Sequence, residues 1–165
     1  MQHVVGILIT IVVFSGINNV ARADQLNLII NGKAIHLDAP SGMTLNEKNW
    51  GIGLQYDYEL INTRWLPFTT VSGFIDSMNK PSYYAGGGLL RRYAVGEHGG
   101  NALNLDAGVI AFMMTRADYK NYQLFPGVLP VFSFGTRSVA LNMTYIPKVH
   151  PKLVALWFFQ LKLAL

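Results

Sequence analysis

The chain contains no cysteine. Disulfides, thiolate zinc sites and cysteine nucleophiles are excluded at once. Charge is scarce as well: Asp, Glu, Lys and Arg make up 13% of the 165 residues, against roughly 25% in an average protein. With 51% hydrophobic residues, this is neither a disordered tail nor a highly charged cytosolic surface. The net charge of +4 includes no dense basic block, so nucleic acid is not an expected partner. Beyond residue 23 there is no uninterrupted apolar run of about 18 residues, so no helix there is expected to cross a membrane. There is no internal repeat, no low-complexity linker and no second domain. Nucleophile elbows, phosphate loops and helical pairs of metal histidines are missing too, so no metal or cofactor is implied. What is present is glycine (16 residues) and aromatics (12%), a composition that suits strands and turns better than helix bundles.

The first segment stands apart. An apolar run from Val4 to Phe14 is followed by Ala21-Arg22-Ala23, a small-x-small cleavage pattern. The run is short for a transmembrane helix, which needs about 20 apolar residues. Residues 1–23 are therefore expected to be a secretory signal and residues 24–165 the mature domain; the alternative is an uncleaved anchor.

Within 24–165 the hydrophobic pattern has a period of two. Trp50, Ile52, Leu54, Tyr56, Tyr58 and Leu60 alternate with Gly51, Gly53, Gln55, Asp57 and Glu59, the pattern of a strand with one apolar and one polar face. Similar alternation runs through 102–113 and 138–145, and more weakly through 153–162. Further strands are expected near 26–38, 64–76, 83–95 and 120–135. Turn chemistry separates them, as in Ala39-Pro40-Ser41-Gly42, Asn79-Lys80-Pro81-Ser82 and Gly96 to Gly100. The total is about eight strands, many near the ~9–11 residues that cross a bilayer at a tilt.

Two architectures fit. A soluble lipocalin-like barrel is apolar inside; a transmembrane barrel is apolar outside. Periodicity does not say which face points in. Three features favour the membrane version: charges gather in turns, the segment ahead reads as an export signal, and aromatics cluster near strand ends. Those aromatics are Trp50, Tyr58, Trp65, Tyr83, Tyr84, Tyr119, Tyr122, Tyr145 and Trp157, as an interfacial girdle requires. Arg91-Arg92 reads as one interfacial and one lumenal arginine.

Few residues offer chemistry. His98 and His150 fall in loops, whereas His36 falls inside a strand and Asp76-Ser77 closes another. A Ser, a His and an Asp suit acyl chemistry. An Asp-Ser pair also starts turns, and the residues alone leave both readings open.

Four stretches, in order and at near-equal spacing, resemble one family. They are Leu28-Ile29-Ile30 leading to His36; Asn46-Glu47-Lys48-Asn49-Trp50-Gly51-Ile52-Gly53; Asp76-Ser77-Met78-Asn79-Lys80 continuing to Ala85-Gly86-Gly87-Gly88; and Pro130 through Met143-Thr144-Tyr145-Ile146-Pro147. The chain resembles PagP, the outer-membrane lipid A palmitoyltransferases. The resemblance implies an all-β fold, an eight-stranded antiparallel transmembrane barrel with an interior pocket for one acyl chain. It implies a phospholipid donor, lipid A or a related lipid acceptor, and a monomer in the outer membrane. The catalytic residues would be His36, Asp76 and Ser77. His36 would act as general base, Asp76 would orient it, and Ser77 would stabilise charge on the ester oxygen. Gly88 would form the pocket floor, and Pro130 and Pro147 would flank a lateral opening. Asn31 and Asn49 stand where a second opening should carry prolines, which leaves the acceptor open. The family's amphipathic N-terminal helix has no place, since only Asp24 and Gln25 precede the first strand. A barrel that binds a lipid or apolar ligand without catalysis is the alternative.

Overall fold

The computed structural model describes residues 24–39, 41–58, 60, 63–117, 121–148 and 154–165. The expected signal segment 1–23 lies outside the described residues, as do Tyr119 and His150. Eight strands follow one another: β1 (Gln25–His36), β2 (Lys48–Asp57), β3 (Trp65–Ile75), β4 (Pro81–His98), β5 (Asn101–Thr115), β6 (Phe125–Gly135), β7 (Val139–Ile146) and β8 (Leu156–Ala164). Each pairs antiparallel with its neighbours, and β1 pairs with β8 to close the barrel. Closure leaves no unpaired edge, which is what the bilayer interior demands of a sheet.

The alternation places the apolar face outside. On β2, Trp50, Ile52, Leu54 and Tyr56 are exposed, while Asn49, Gln55 and Asp57 are buried in the lumen. On β1, Asn27 and Asn31 point inward with Ile29, and Leu26 points out. This orientation excludes the soluble lipocalin-like alternative, whose core would be the apolar face. Trp50 and Tyr83 stand near one end of the exposed belt and Trp65 and Tyr93 near the other, with Ile52, Val71, Val109 and Val128 between. Tyr84 departs from the expected girdle. It turns inward, and its hydroxyl accepts from Gln160 Nε2 at 2.9 Å.

Several boundaries differ from the expected ones. β4 and β5 run on to His98 and Asn101, so the β4–β5 turn narrows to Gly99-Gly100, with φ of 56° and 77°. A two-residue hairpin with both φ positive matches the twist of its strands, and glycine adopts it without a Cβ clash. At the other end of the barrel, β6 begins at Phe125 rather than near 120.

The lumen has an apolar part and a polar part. Leu66, Phe68, Leu90, Ile110 and Val131 form one buried cluster. Beside it Lys162 Nζ lies 2.8 Å from Asp57 Oδ2, both side chains under 10% exposed. Asp57 also accepts from Asn27 Nδ2 at 3.1 Å and Gln55 Nε2 at 2.7 Å. Arg92 pairs with Asp106 through Nε–Oδ1 at 3.0 Å. Arg91 points outward between the rings of Trp65 and Tyr93, 5.6 Å from each centroid. The Arg91-Arg92 expectation thus holds for both residues.

Candidate active site

β1 ends at His36 and β3 ends at Ile75, so the barrel brings the last residue of one beside the turn that follows the other. His36 Nε2 lies 2.9 Å from Ser77 Oγ. The His36 side chain is only 4% exposed. Residues 41 apart in sequence thus form a hydroxyl–imidazole pair, a geometry in which the ring can take or return the hydroxyl proton.

Asp76 does not join this pair. Its Oδ1 accepts from the backbone N–H of Met78 at 2.9 Å and of Lys80 at 3.0 Å, and its Oδ2 accepts from Ser82 Oγ at 3.0 Å. Asp76 is buried, and these three donors satisfy it from its own turn and from the start of β4. The turn is tight: Asn79 sits at φ 58°, a region that asparagine visits more readily than most residues. Asp76 therefore fixes the conformation that presents Ser77.

The β1–β2 loop braces the same turn. Asn46 N–H donates to Ser77 O at 2.9 Å and Asn46 Nδ2 to Asp76 O at 3.0 Å. Ala34 N–H donates to Glu47 O at 2.9 Å. Glu47 Oε1 then lies 3.7 Å from His36 Nδ1. In the sequence, Asn46-Glu47 belongs only to a stretch that carries the family resemblance, with no role implied for either residue. An asparagine–glutamate pair carries no recognisable motif; its role depends on which loop the barrel lays beside it.

Below this rim an apolar cavity of about 90 Å³ opens in the lumen. Phe74, Tyr84, Phe112, Leu129, Ile146 and Phe158 line it, and Phe68, Ile110 and Val131 of the buried cluster close it. Gly88 faces the lumen opposite Phe68 across the β3–β4 ladder. The Phe68 ring covers it, and a Cβ on Gly88 would lie 2.6 Å from two ring carbons.

The two seams differ. β6 and β7 pair only from Gly135–Ala140 to Val131–Thr144, although β6 extends back to Phe125 and β7 on to Ile146. Pro130 is the next residue past the last pair and Pro147 the first after β7. Proline has no N–H for a ladder, so the seam parts where the prolines stand. The β1–β2 ladder, by contrast, is continuous from Gln25–Asp57 to Asn31–Gly51 and resumes at Lys33–Lys48 past a bulge. Asn31 and Asn49 turn into the lumen. Asn31 Nδ2 donates to Ser72 Oγ at 2.7 Å and Asn49 Nδ2 to Ile75 O at 2.8 Å. The first bond reaches from β1 over β2 to β3 and the second joins β2 to β3, so this seam stays paired as far as Asn31–Gly51.

Residues 17–160 match the family described as antimicrobial peptide resistance and lipid A acylation protein PagP. The chain is 33% identical over 106 residues to the lipid A acyltransferase PagP of Laribacter hongkongensis, covering 64% of this chain and 48% of that one. It is 32% identical over 104 residues to the lipid A acyltransferase PagP of Bordetella pertussis, covering 63% and 54%. It thus matches only about half the length of these curated relatives. Among solved structures it is similar to the crystal structure of Ail, the attachment invasion locus protein of Yersinia pestis, with a TM-score of 0.44 at 12% identity, covering 86% of this chain and 95% of that one.

Proposed function

Because the chain belongs to the PagP family, we propose that it is an outer-membrane acyltransferase that moves a fatty acyl chain from a phospholipid to lipid A or a related lipid acceptor. One observation carries the reading. The His36–Ser77 pair stands at the rim of an apolar lumenal pocket, inside a barrel whose outer face is apolar.

The donor's acyl chain occupies the pocket, reaching it through the parted β6–β7 seam between Pro130 and Pro147. Its ester carbonyl then lies at the rim. His36 Nε2 takes the proton of the acceptor hydroxyl, whose oxygen bonds to the acyl carbon. Ser77 Oγ donates towards the carbonyl oxygen as negative charge develops there. The bond from acyl carbon to donor glycerol oxygen breaks, and His36 returns the proton to that oxygen. The products are an acylated acceptor and a lysophospholipid. Asp76 contributes by holding the turn, and the barrel works as a monomer.

The test is transfer in detergent micelles from dihexadecanoyl phosphatidylethanolamine to purified lipid A. Acylated lipid A and lysophospholipid are expected in equal amounts, and both should vanish in His36→Ala and in Ser77→Ala. A folded barrel that binds the phospholipid but yields neither product, in wild type as in the variants, would favour the non-catalytic lipid-binding alternative.

A further inference from the structure

We propose that Glu47, rather than Asp76, is the carboxylate that positions the His36 imidazole. The inference deepens the acyltransferase reading and rests on it for its kinetic arm. The first support is an unpartnered atom. His36 Nδ1 is buried and makes no hydrogen bond, although the opposite ring nitrogen is engaged by Ser77. A buried ring nitrogen left unpaired is costly, and a base of this kind ordinarily has its far nitrogen held by an orienting group.

The second support is what faces that atom. Glu47 Oε1 is 3.7 Å away, about 0.8 Å beyond an ordinary hydrogen bond. The Glu47 side chain is 43% exposed, and its other oxygen lies 3.7 Å from Lys33 Nζ, so it has room to close that gap. Its backbone has none: Ala34 N–H holds its carbonyl, and the adjacent Asn46 is bonded to Ser77 O and Asp76 O. Glu47 is therefore anchored to both halves of the pair it serves. The third support is the commitment of Asp76, whose two oxygens already take three donors from Met78, Lys80 and Ser82.

In this arrangement the neutral imidazole carries its proton on Nδ1, directed at Glu47, and Nε2 is left free to accept. Lys33 moderates the charge of Glu47, and the Asp76 turn reaches the ring through Ser77 Oγ at Nε2, not through the Asp76 carboxylate.

The experiment is the nitrogen-15 spectrum of the imidazole in full-length protein in micelles, at about pH 8.5, where an ordinary imidazole is neutral. Wild type should show the Nδ1–H form. Glu47→Ala should shift the signals towards the Nε2–H form and lower turnover roughly 10- to 100-fold, with Glu47→Asp recovering part of both. Asp76→Asn should leave the tautomer unchanged. Folding of each variant is checked by its heat-dependent gel migration. A Glu47→Ala spectrum identical to wild type overturns the proposal, as does a tautomer shift in Asp76→Asn alone. If wild type transfers no acyl chain at all, the acyltransferase reading fails, and the spectrum still decides whether Glu47 holds His36.

Discussion

The ring of Phe68 lies over Gly88, so that a Cβ at position 88 would come within 2.6 Å of two ring carbons. On the proposed function, this pair sets the depth of the acyl pocket. A Cβ on Gly88 would also meet the Val109 carbonyl oxygen on β5, so Gly88→Ala should cost stability as well as push the Phe68 ring into the cavity and shorten the preferred acyl chain. Phe68→Ala should deepen it and lengthen that chain. Each methylene gained or lost from burial is worth about 0.8 kcal/mol, or roughly fourfold in selectivity. Competition between donors of different chain length, read by mass spectrometry, checks both directions. If Phe68→Ala leaves the preference unchanged, Phe68 does not form the floor.

The buried pair Asp57–Lys162 should matter more to stability than to transfer. Lys162→Met removes one partner of an ion pair whose side chains are both under 10% exposed. Breaking such a pair typically costs about 3–5 kcal/mol. Asn27 and Gln55 still donate to Asp57, which places the loss at the lower end. Adding Asp57→Asn should recover much of it, because no unpaired charge then remains buried. Urea unfolding in micelles compares the two variants with wild type.

The strands were legible because period-two alternation runs through 50–60, 102–113 and 138–145 and turn residues separate the rest; their closure into an antiparallel barrel came from the resemblance. Which face points inward was not, because alternation is symmetric: Trp50 against Gln55 says only that they are opposed. Paired charges inside the lumen were also hidden, since Asp57 and Lys162 lie 105 residues apart. At the site, His36 and Ser77 were named from a resemblance, and the structure brings them together. Asp76 was named beside them, yet its carboxylate faces its own turn. Sequence adjacency to Ser77 fixes where the backbone goes, not where the side chain points. Asn31 and Asn49 were read as missing prolines, and they turn out to lace β1 and β2 to β3. That contact is possible because Gly51 and Gly53 on β2 present no side chain between them; a Cβ on Gly53 would lie 2.5 Å from Ser72 Cβ.

Acid should loosen the rim at one clasp. Lys148 Nζ lies 2.9 Å from Asp38 Oδ2, and the Ala155 N–H donates to Asp38 Oδ1 at 2.7 Å. The Lys148 hydrogen bond, followed by that of Ala155, holds the Asp38 carboxyl below its ordinary value of 3.8. A lowered folded value means the clasp contributes fully above 3.8 and is lost as pH falls through the depressed value. Amide exchange at Ala155 should therefore accelerate only below 3.8. In Lys148→Ala the acceleration should begin nearer to 3.8, and an unchanged midpoint would rule the clasp out.

The β6–β7 seam should respond to restoring a donor. Pro130→Ala with Pro147→Ala returns two backbone N–H groups where the ladder now stops at Val131–Thr144. Pairing should extend along the seam, seen as new protected amides in hydrogen exchange, and transfer should slow while the His36–Ser77 pair stays intact. Unchanged transfer with an extended ladder would mean that lipid does not pass there.

The most direct measurement is the lipid A mass spectrum of cells expressing this chain, beside cells expressing Ser77→Ala. A gain of one acyl chain, absent in the variant, is the predicted result. Lipid A of unchanged mass in both, with the wild-type barrel present in the outer membrane, would contradict lipid A as the acceptor.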